Sequence, residues 1–484
     1  MNENMANPLG KPEPEVTIIS ASARLFFKLF FWVSLLLLFS AGYATAAETT
    51  YFSLSECVKM GVSRNLQILS DQLAPKERKL DIEAARKIFI PQAKARILGS
   101  KADRRGMEYS YSLEQKTTNG TTVGLGMSGQ AFSIGNDDNN RLFSFSLNRP
   151  LLQNFGKQTT GINIDIKTIE YETSLELFKH ELNQFIQDLS VLYLELFFAR
   201  ENLRIQEQAL ERALKQYEDT RKDIESGVIP EQEIFLVEEN VVNFEIKKEI
   251  ALRDISFYEL GVKRLLNIEN PEDLTLVASD SFKSCLSDPL ELEASRAILF
   301  KNNPSYKIKT FALQKSRLDM DFYRNQLLPV LDFQARYDVS RGDANFDNNA
   351  YSVGFAYEMP LSRKSDRALV ERSKIEVRRN ELTLGDVEFN LSYDLQKLLL
   401  DIFHQRKILA AKERASELAR KKLDNETDKY KNGISTLADI VRFQRELEDS
   451  TIEEFRTLVL LNKFRIQKLM LEGTLYQFFG IEID

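Results

Sequence analysis

Two histidines, two cysteines and one glycine-rich run are the places where this 484-residue chain could do chemistry. His180 and His404 fall within long heptad-patterned stretches. Neither has a cysteine or carboxylate cluster at ligand spacing, so both read as solvated helix residues rather than metal ligands. Gly124-Leu125-Gly126-Met127-Ser128-Gly129 matches the dinucleotide fingerprint by letter. It lacks the βαβ unit that would place a pyrophosphate on a helix N-terminus. Glycines alternating with Val, Leu and Met fit the small face of a strand instead. Cys57 and Cys285 either pair as a disulfide or remain two thiols. Leu54-Ser55-Glu56 lacks the small residues that a bacterial lipidation site needs before its cysteine. There is no nucleophile elbow, no P-loop and no zinc-helix motif, and the carboxylates are interleaved with Lys and Arg. No enzymatic activity and no cofactor are expected. The net charge of −7 gives no reason to expect nucleic acid as a partner.

With catalysis set aside, the strongest signal is internal repetition. A displacement of 206 positions (395 − 189) lays Leu192 on Leu398, Phe197 on Phe403, Arg200 on Arg406, Gly227 on Gly433 and Ile234 on Ile440. Upstream, a displacement of 238 (329 − 91) lays Pro91 on Pro329, Asn65 on Asn303 and Arg86 on Arg324. Each copy orders itself as helix, strands, long helix, tight turn, long helix, which makes one structural unit written twice. The expected division is 1–47 leader and signal peptide, 48–284 first repeat and 285–484 second repeat, the two repeats forming one continuous protomer.

The long helices carry a coiled-coil seam. Phe178, Leu182, Phe185, Leu189, Leu192, Leu196, Ala199 and Leu203 alternate steps of three and four, and the seam resumes at Ile234, Val237, Val241, Phe244 and Ala251. The predicted helix from about residue 160 to 226 would be about 100 Å long at 1.5 Å per residue. Ser226-Gly227-Val228-Ile229-Pro230 separates the two runs. Gly suits the helix end and Pro the first turn of the next helix. The second copy has Asn432-Gly433-Ile434-Ser435-Thr436, with Thr436 and Asp439 spaced as a capping pair. A plain coiled-coil rod would satisfy these helices alone.

The intervening segments alternate with period two. Leu331, Phe333, Ala335, Tyr337 and Val339 face away from Asp332, Gln334, Arg336 and Asp338, and Phe143, Phe145 and Leu147 face away from Ser144, Ser146 and Asn148. Runs of about ten such residues fit transmembrane β-strands or a soluble antiparallel sheet with one wet face. The N-terminus bears on that choice. Arg24 and Lys28 precede the apolar run Leu29–Phe39 and then Ala44-Thr45-Ala46-Ala47, a secretory signal with cleavage near Ala46 or Ala47 or else a retained anchor. Residues 1 to about 23 precede it as a long leader or a misassigned start. The only Trp, Trp32, lies in this segment, so any aromatic girdle must use Tyr and Phe. The chain is read as exported, with any later membrane insertion made by strands.

Strands in a bilayer must form a closed barrel, and closure needs about eight or more. Two hairpins per chain, or slightly more, cannot close alone, so several copies must share one barrel that continues into their helices. The expected fold class is therefore an α+β membrane protein: a shared transmembrane β-barrel continued by a long coiled-coil α-helical barrel, with an internal two-fold repeat.

The repeat resembles the outer-membrane efflux protein family, the TolC-like outer-membrane factors. The resemblance rests on the helix starts at Asn65 and Asn303-Pro304 and the turns into strand at Pro91 and Pro329. It rests further on the strand ends Arg149-Pro150-Leu151-Leu152 and Met359-Pro360-Leu361, and on the tip turns at Gly227 and Gly433. It implies a homotrimer with a twelve-stranded barrel in the outer membrane and a periplasmic α-barrel. It also implies docking to a periplasmic adaptor and an inner-membrane pump, as the passive channel of a tripartite efflux or type I secretion system. A non-conducting tether across the envelope is the alternative. The tips Gly227, Val228, Ile229, Gly433, Ile434 and Ser435 are the expected adaptor-binding residues. Asp439 matches the first of two acidic gate positions in the family, but Arg442 stands where the second acid would be. Copy one is about twice as long between Pro91 and Pro150 as copy two between Pro329 and Pro360. Thr118-Asn119-Gly120-Thr121 marks an added hairpin there, which either joins the barrel or caps it outside.

Overall fold

A computed structural model of the chain describes residues 48–100, 106–131, 141–268, 274–278, 291–341 and 348–483. The signal-like segment and Cys285 lie outside the described residues. The chain divides into two compact units, residues 1–50 with 270–275 and residues 51–269 with 276–484. Strand β1 (Glu48–Phe52), which runs across the boundary at residue 50, begins the described chain.

The second unit follows in chain order. Helix α1 (Leu54–Arg64) leads to α2 (Leu66–Asp71) and α3 (Leu73–Arg86), then to strands β2 (Gln92–Ser100), β3 (Gly106–Lys116), β4 (Thr122–Ala131) and β5 (Arg141–Pro150). The hairpin of α4 (Lys157–Glu225) and α5 (Ile234–Leu265) comes next. Strand β6 (Leu274–Ala278), which like β1 runs across a unit boundary, forms with it a separate two-stranded sheet. Then come α6 (Leu292–Asn302), α7 (Pro304–Gln326), β7 (Val330–Arg341) and β8 (Asn348–Glu358). A second hairpin, α8 (Lys364–Lys431) and α9 (Leu437–Leu471), and the short α10 (Leu475–Phe478) complete the chain. Helix α4 spans 69 residues and α8 spans 68, each about 100 Å at 1.5 Å per residue. Among the described residues no helix is apolar enough over its length to cross a membrane.

The seam residues are where the helices pack. Leu182, Leu189, Leu196 and Ala199 of α4 are buried, as are Val237, Phe244 and Ala251 of α5. In the second hairpin, Ala419 and Leu423 pack on Leu447. The glycine-rich run lies inside β4, and the next described element is the strand β5.

All the large strands form one antiparallel sheet in the order β2-β3-β4-β5-β7-β8. Its register aligns the apolar positions. Leu113 lies opposite Leu125, Leu125 opposite Phe145, Phe145 opposite Tyr337 and Tyr337 opposite Tyr351. The opposite face carries Ser112, Gly126, Ser144, Asp338 and their neighbours, so one face is apolar and the other polar across all six strands. The added hairpin is β3–β4, and it belongs to the sheet. A twelve-stranded trimer would need four strands per chain. The sheet has six, because the added segment alternates in the same period as its neighbours and pairs on both edges.

Two asparagines tie the helical half together. Asn65 caps α2, its Oδ1 accepting from the amides of Gln67 and Ile68 at 3.0 and 3.2 Å, while its Nδ2 donates to Leu265 O at the end of α5 at 3.0 Å. Asn303 caps α7 through the Tyr306 amide at 2.9 Å and donates to Leu471 O at the end of α9 at 2.8 Å. Each side chain thus satisfies an orphan donor at one helix start and an orphan carbonyl at another helix end. Asn303→Ala loses both bonds and leaves the Leu471 carbonyl unpaired. It is expected to lower stability by about 2–3 kcal/mol, read as the denaturant midpoint of detergent-solubilised protein. Asn303→Asp keeps the cap but turns a buried carboxylate oxygen toward the Leu471 carbonyl, so it should cost at least as much as Asn303→Ala. Wild-type midpoints for both would show that the clamp holds nothing.

Candidate functional site at the helical tips

The turn of the first hairpin is built from Ser226, Gly227 and Val228. The Gly227 amide donates to Ile224 O and the Val228 amide to Asp223 O, both at 2.9 Å, the paired bonds of a Schellman end. In the second hairpin Gly433 donates to Tyr430 O and Ile434 to Lys429 O, again at 2.9 Å. Gly227 and Gly433 take φ of 71° and 73°, the left-handed region that a side chain strains. The residue after each glycine is thereby pushed off the helix end. Val228 is 73 % exposed and Ile434 76 %, so neither staples its turn. Ile229 and Ser435 are half-buried.

An apolar plug holds the two turns side by side. Val237 of α5 and Leu437 and Val441 of α9 are buried together, with Tyr217, Ile234, Leu236 and Tyr430 packed around them. All four long helices contribute. Between the turns lies a groove of about 710 Å³, walled by Val228, Ile229, Gly433 and Ser435 with Tyr430, Arg212 and Gln444 among others. Four of the six expected tip residues therefore meet in one groove. Ile434 lies outside its walls, as do Asp439 and Arg442.

Electrostatics fix the start of α9. The Thr436 hydroxyl accepts from the Asp439 amide at 3.2 Å and donates to Asp439 Oδ2 at 2.6 Å. Arg442 lies 2.9 Å from Asp439 Oδ1, and its guanidinium sits 4.8 Å from the centre of the Phe443 ring. The Thr436 hydroxyl, joined by the Arg442 charge, holds the Asp439 carboxyl below its ordinary value. On α8, Ser435 donates to Glu426 at 2.6 Å and Lys429 pairs with Glu426 at 3.1 Å, which lowers that carboxyl as well. Burial raises the Tyr430 phenol, helped by Asp223 and Glu233. The capping pair anticipated at Thr436 and Asp439 is thus present, and Asp439 spends both carboxylate oxygens on its own chain.

A belt of buried polar groups above the plug was not anticipated. Gln206 donates to Glu448 at 2.8 Å, Asn240 to Gln444 at 3.0 Å, and Lys247 to Glu448 at 2.5 Å. Arg445 adds a bond to Asn240 Oδ1 at 3.2 Å. These side chains join the first hairpin to α9. One signal was available: extending the α4 seam three residues past Leu203 lands on Gln206, a polar residue in a core position. Its partner is 242 residues away, a distance no local pattern spans.

Elsewhere the chemistry-bearing residues stay apart. Among the described residues no group of three or more His, Cys, Asp or Glu could hold a metal. His404 is exposed and His180 half-buried, on different helices. Cys57 is buried in α1, and burial pushes its thiol up to about 12.

The geometry has close counterparts among solved structures. A membrane protein from Pseudomonas aeruginosa superposes with a TM-score of 0.65 at 12 % identity, over 87 % of this chain and 90 % of that one. Six such likenesses include outer-membrane channels by name. The fold is that of the TolC-like outer-membrane channels. The Campylobacter jejuni CmeC outer membrane channel matches with a TM-score of 0.61 at 12 % identity, over 87 % of this chain and 86 % of its own. The Neisseria gonorrhoeae MtrE channel, described in its open state, matches with 0.59 at 13 %, over 87 % and 89 %. No protein-family model and no curated protein matches the sequence. A TolC-like fold at such low identity is physically reasonable, because a heptad seam and a period-two strand constrain polarity and size at each position rather than residue type.

Because Val228 and Ile434 touch little of their own chain, replacing both with Asp should leave the denaturant midpoint within about 0.5 kcal/mol of wild type. Unfolding of the double variant would make these residues part of the folding core.

Proposed function

We propose that this chain is the outer-membrane channel of a tripartite efflux or type I secretion system, conducting cargo passively from a periplasmic adaptor and inner-membrane pump to the exterior. The observation that carries the reading is the combination, in one chain, of a sheet apolar on one face across every strand and two helical hairpins about 100 Å long. A tether needs the rod but has no use for the sheet. A sheet with an apolar face and two open edges suits lipid only when closed by further copies. We take those copies to be three, as the fold's likeness suggests, with the sheet in the outer membrane and the helices in the periplasm. The halves 48–284 and 285–484 are read as repeats of one unit, supported by the parallel order of their elements and the near-equal lengths of α4 and α8.

The tips are the proposed adaptor contact, with Val228 and Ile434 offering apolar side chains to it and Gly227, Ile229, Gly433 and Ser435 shaping the turns. Asp439 and Arg442 are the proposed periplasmic gate. Three copies of Asp439 brought together would repel. The pairing of Asp439 with Arg442 within each chain, at 2.9 Å, supports neutralisation by every protomer for itself. The gate would then be a ring of three ion pairs, not a bare acidic ring.

Single-channel recording of purified protein in planar bilayers tests both levels. Discrete conductance steps are expected, and a silent bilayer with intact trimer would favour the tether. Asp439→Ala and Arg442→Ala should each raise open probability; wild-type behaviour in both would leave Asp439 as a helix cap. The pH dependence has a definite sign. A carboxyl lowered in the folded state contributes above its unfolded value and is lost as pH falls through its lowered one. The closed state should therefore hold unchanged from pH 7.5 to about 5, with acid opening confined below about pH 4.

A further inference from the structure

The added hairpin β3–β4 is fastened at its turn. Asn119 and Gly120 form that turn, with the Thr117 amide donating to Thr121 O at 2.7 Å and Gly120 donating to Thr117 O at 3.0 Å. Gly120 is buried and takes φ of 89°. A Cβ there would lie 2.7 Å from Asn154 O and 3.0 Å from the Pro150 ring. The Gly156 amide donates back to Asn119 O at 3.4 Å. Residues 150–156 are the connection from β5 into α4, so the turn sits at the helical end of the sheet. The hairpin consequently crosses the sheet from one end to the other and back. A cap over the outer mouth would leave that end.

Its faces match those of its neighbours. Tyr111, Leu113, Leu125 and Met127 continue the apolar face in register with Phe143, Phe145, Val339 and Tyr337. On the polar face the hairpin places small residues, Ser110, Ser112, Gly124, Gly126 and Ser128. Ser146 and Ser144 lie so close over Gly124 and Gly126 that a Cβ at either glycine would sit 2.5 Å from a hydroxyl. Lys94 of β2 pairs with Glu114 of β3 at 2.7 Å, closing the hairpin onto the sheet edge on that face.

The arc widths agree with this placement. Strands 4.8 Å apart and tilted by about 40° take about 6 Å of circumference each, so six span about 38 Å and four only about 25 Å. The sheet stands on four helices, since α3 leads to β2, β5 to α4, α7 to β7 and β8 to α8. Helices packed 8–10 Å apart span about 32–40 Å. Six strands cover that arc without taper.

We propose that β3–β4 forms part of the membrane wall, so that three chains close an eighteen-stranded barrel through pairing of β8 on β2 of a second copy. This rests on the trimeric duct reading above. The strand β2 leaves the helical end and β8 returns to it, so the junction is antiparallel like every other pair. Barrel width grows in proportion to strand number, which makes the backbone cylinder about 36 Å across, one and a half times that of a twelve-stranded barrel. The membrane segment is then wide, its polar face combining the hairpin's small residues with Lys94, Arg96, Arg336 and Asp338 of the neighbouring strands, and its width sets no close size limit on cargo.

Two measurements on the full-length protein test this. Electron cryomicroscopy of the trimer in lipid nanodiscs should resolve eighteen strands in the wall. A trimer with twelve, and β3–β4 outside the wall, overturns the proposal but leaves the duct standing; a particle that is not a trimer overturns the duct itself. Separately, in a Cys57→Ser, Cys285→Ser background, an environment-sensitive fluorophore on Leu125→Cys should be quenched by nitroxide lipids as strongly as one on Val353→Cys of β8. Quenching of the Leu125 position by aqueous iodide alone would place the hairpin in water and overturn the proposal.

Discussion

Unpaired backbone is the constraint from which the rest follows. The six-stranded sheet leaves β2 and β8 with open edges, each a row of amides and carbonyls without partners in the sheet. In water such edges invite promiscuous pairing, and in lipid each unsatisfied group costs several kcal/mol. Six strands are too few to curl shut. The pairing with further copies proposed above would give both edges their partners. The apolar face supplies the complementary demand, because Tyr351, Val353, Phe355 and Tyr357 of β8 are all exposed in the isolated chain. The proposed closed barrel in a bilayer would meet both requirements together, the one for hydrogen-bond partners and the one for an apolar solvent.

The helical half solves a different problem with different means. A rod about 100 Å long cannot be held by one core, so its packing is distributed along the seam in local clusters. Ala209, Ala213, Val241 and Phe244 form one, Val237, Leu437 and Val441 another, and Leu299, Leu395 and Leu399 a third about midway along α8. Small residues such as Ala209, Ala213 and Ala251 let the antiparallel helices approach, and larger ones fill between them. The asparagine clamps at Asn65 and Asn303 then fix where α5 and α9 end against α2 and α7. Without such anchors a uniform seam tolerates sliding by a heptad.

Local periodicity made most of this legible. Phe178 through Ala199 announced α4, and its observed start at Lys157 and end at Glu225 differ from the predicted limits by only a few residues, because Gly227 and Pro230 punctuate the chain unambiguously. Asn119-Gly120 announced the added hairpin for the same reason. Its place in the sheet was not legible. Whether the hairpin pairs with its flanking strands depends on cross-strand contacts such as Leu125 with Phe145 and Lys94 with Ser112, and a period of two fixes which face a residue takes but not which strand it meets. The tip residues were legible as exposed apolar groups after a helix-ending glycine. The groove between them was not, since it exists only where the plug of Val237 on Val441 brings two distant turns together. Asp439 shows the limit from the other side. Its type and position suggested a gate, yet its nearest partners are the Thr436 hydroxyl and the Arg442 guanidinium of its own chain.

The buried belt of Gln206, Asn240, Gln444 and Glu448 explains why the two hairpins meet in one register. Apolar contacts such as those of the plug are nearly indifferent to small sliding, because burial depends on area and not direction. A buried carboxylate is not indifferent. Glu448 is 1 % exposed, and its two oxygens are satisfied only when Gln206 and Lys247 stand opposite it. Displacing the hairpins by one residue would leave that charge without partners in a dry interior, at a cost far above the gain from the hydrogen bonds themselves. The belt thus contributes alignment more than net stability. Below it only the plug, the half-buried groove walls and exposed ion pairs join the hairpins, and exposed pairs are each worth little. Any separation of the tips would therefore begin below the belt, where nothing enforces a single register.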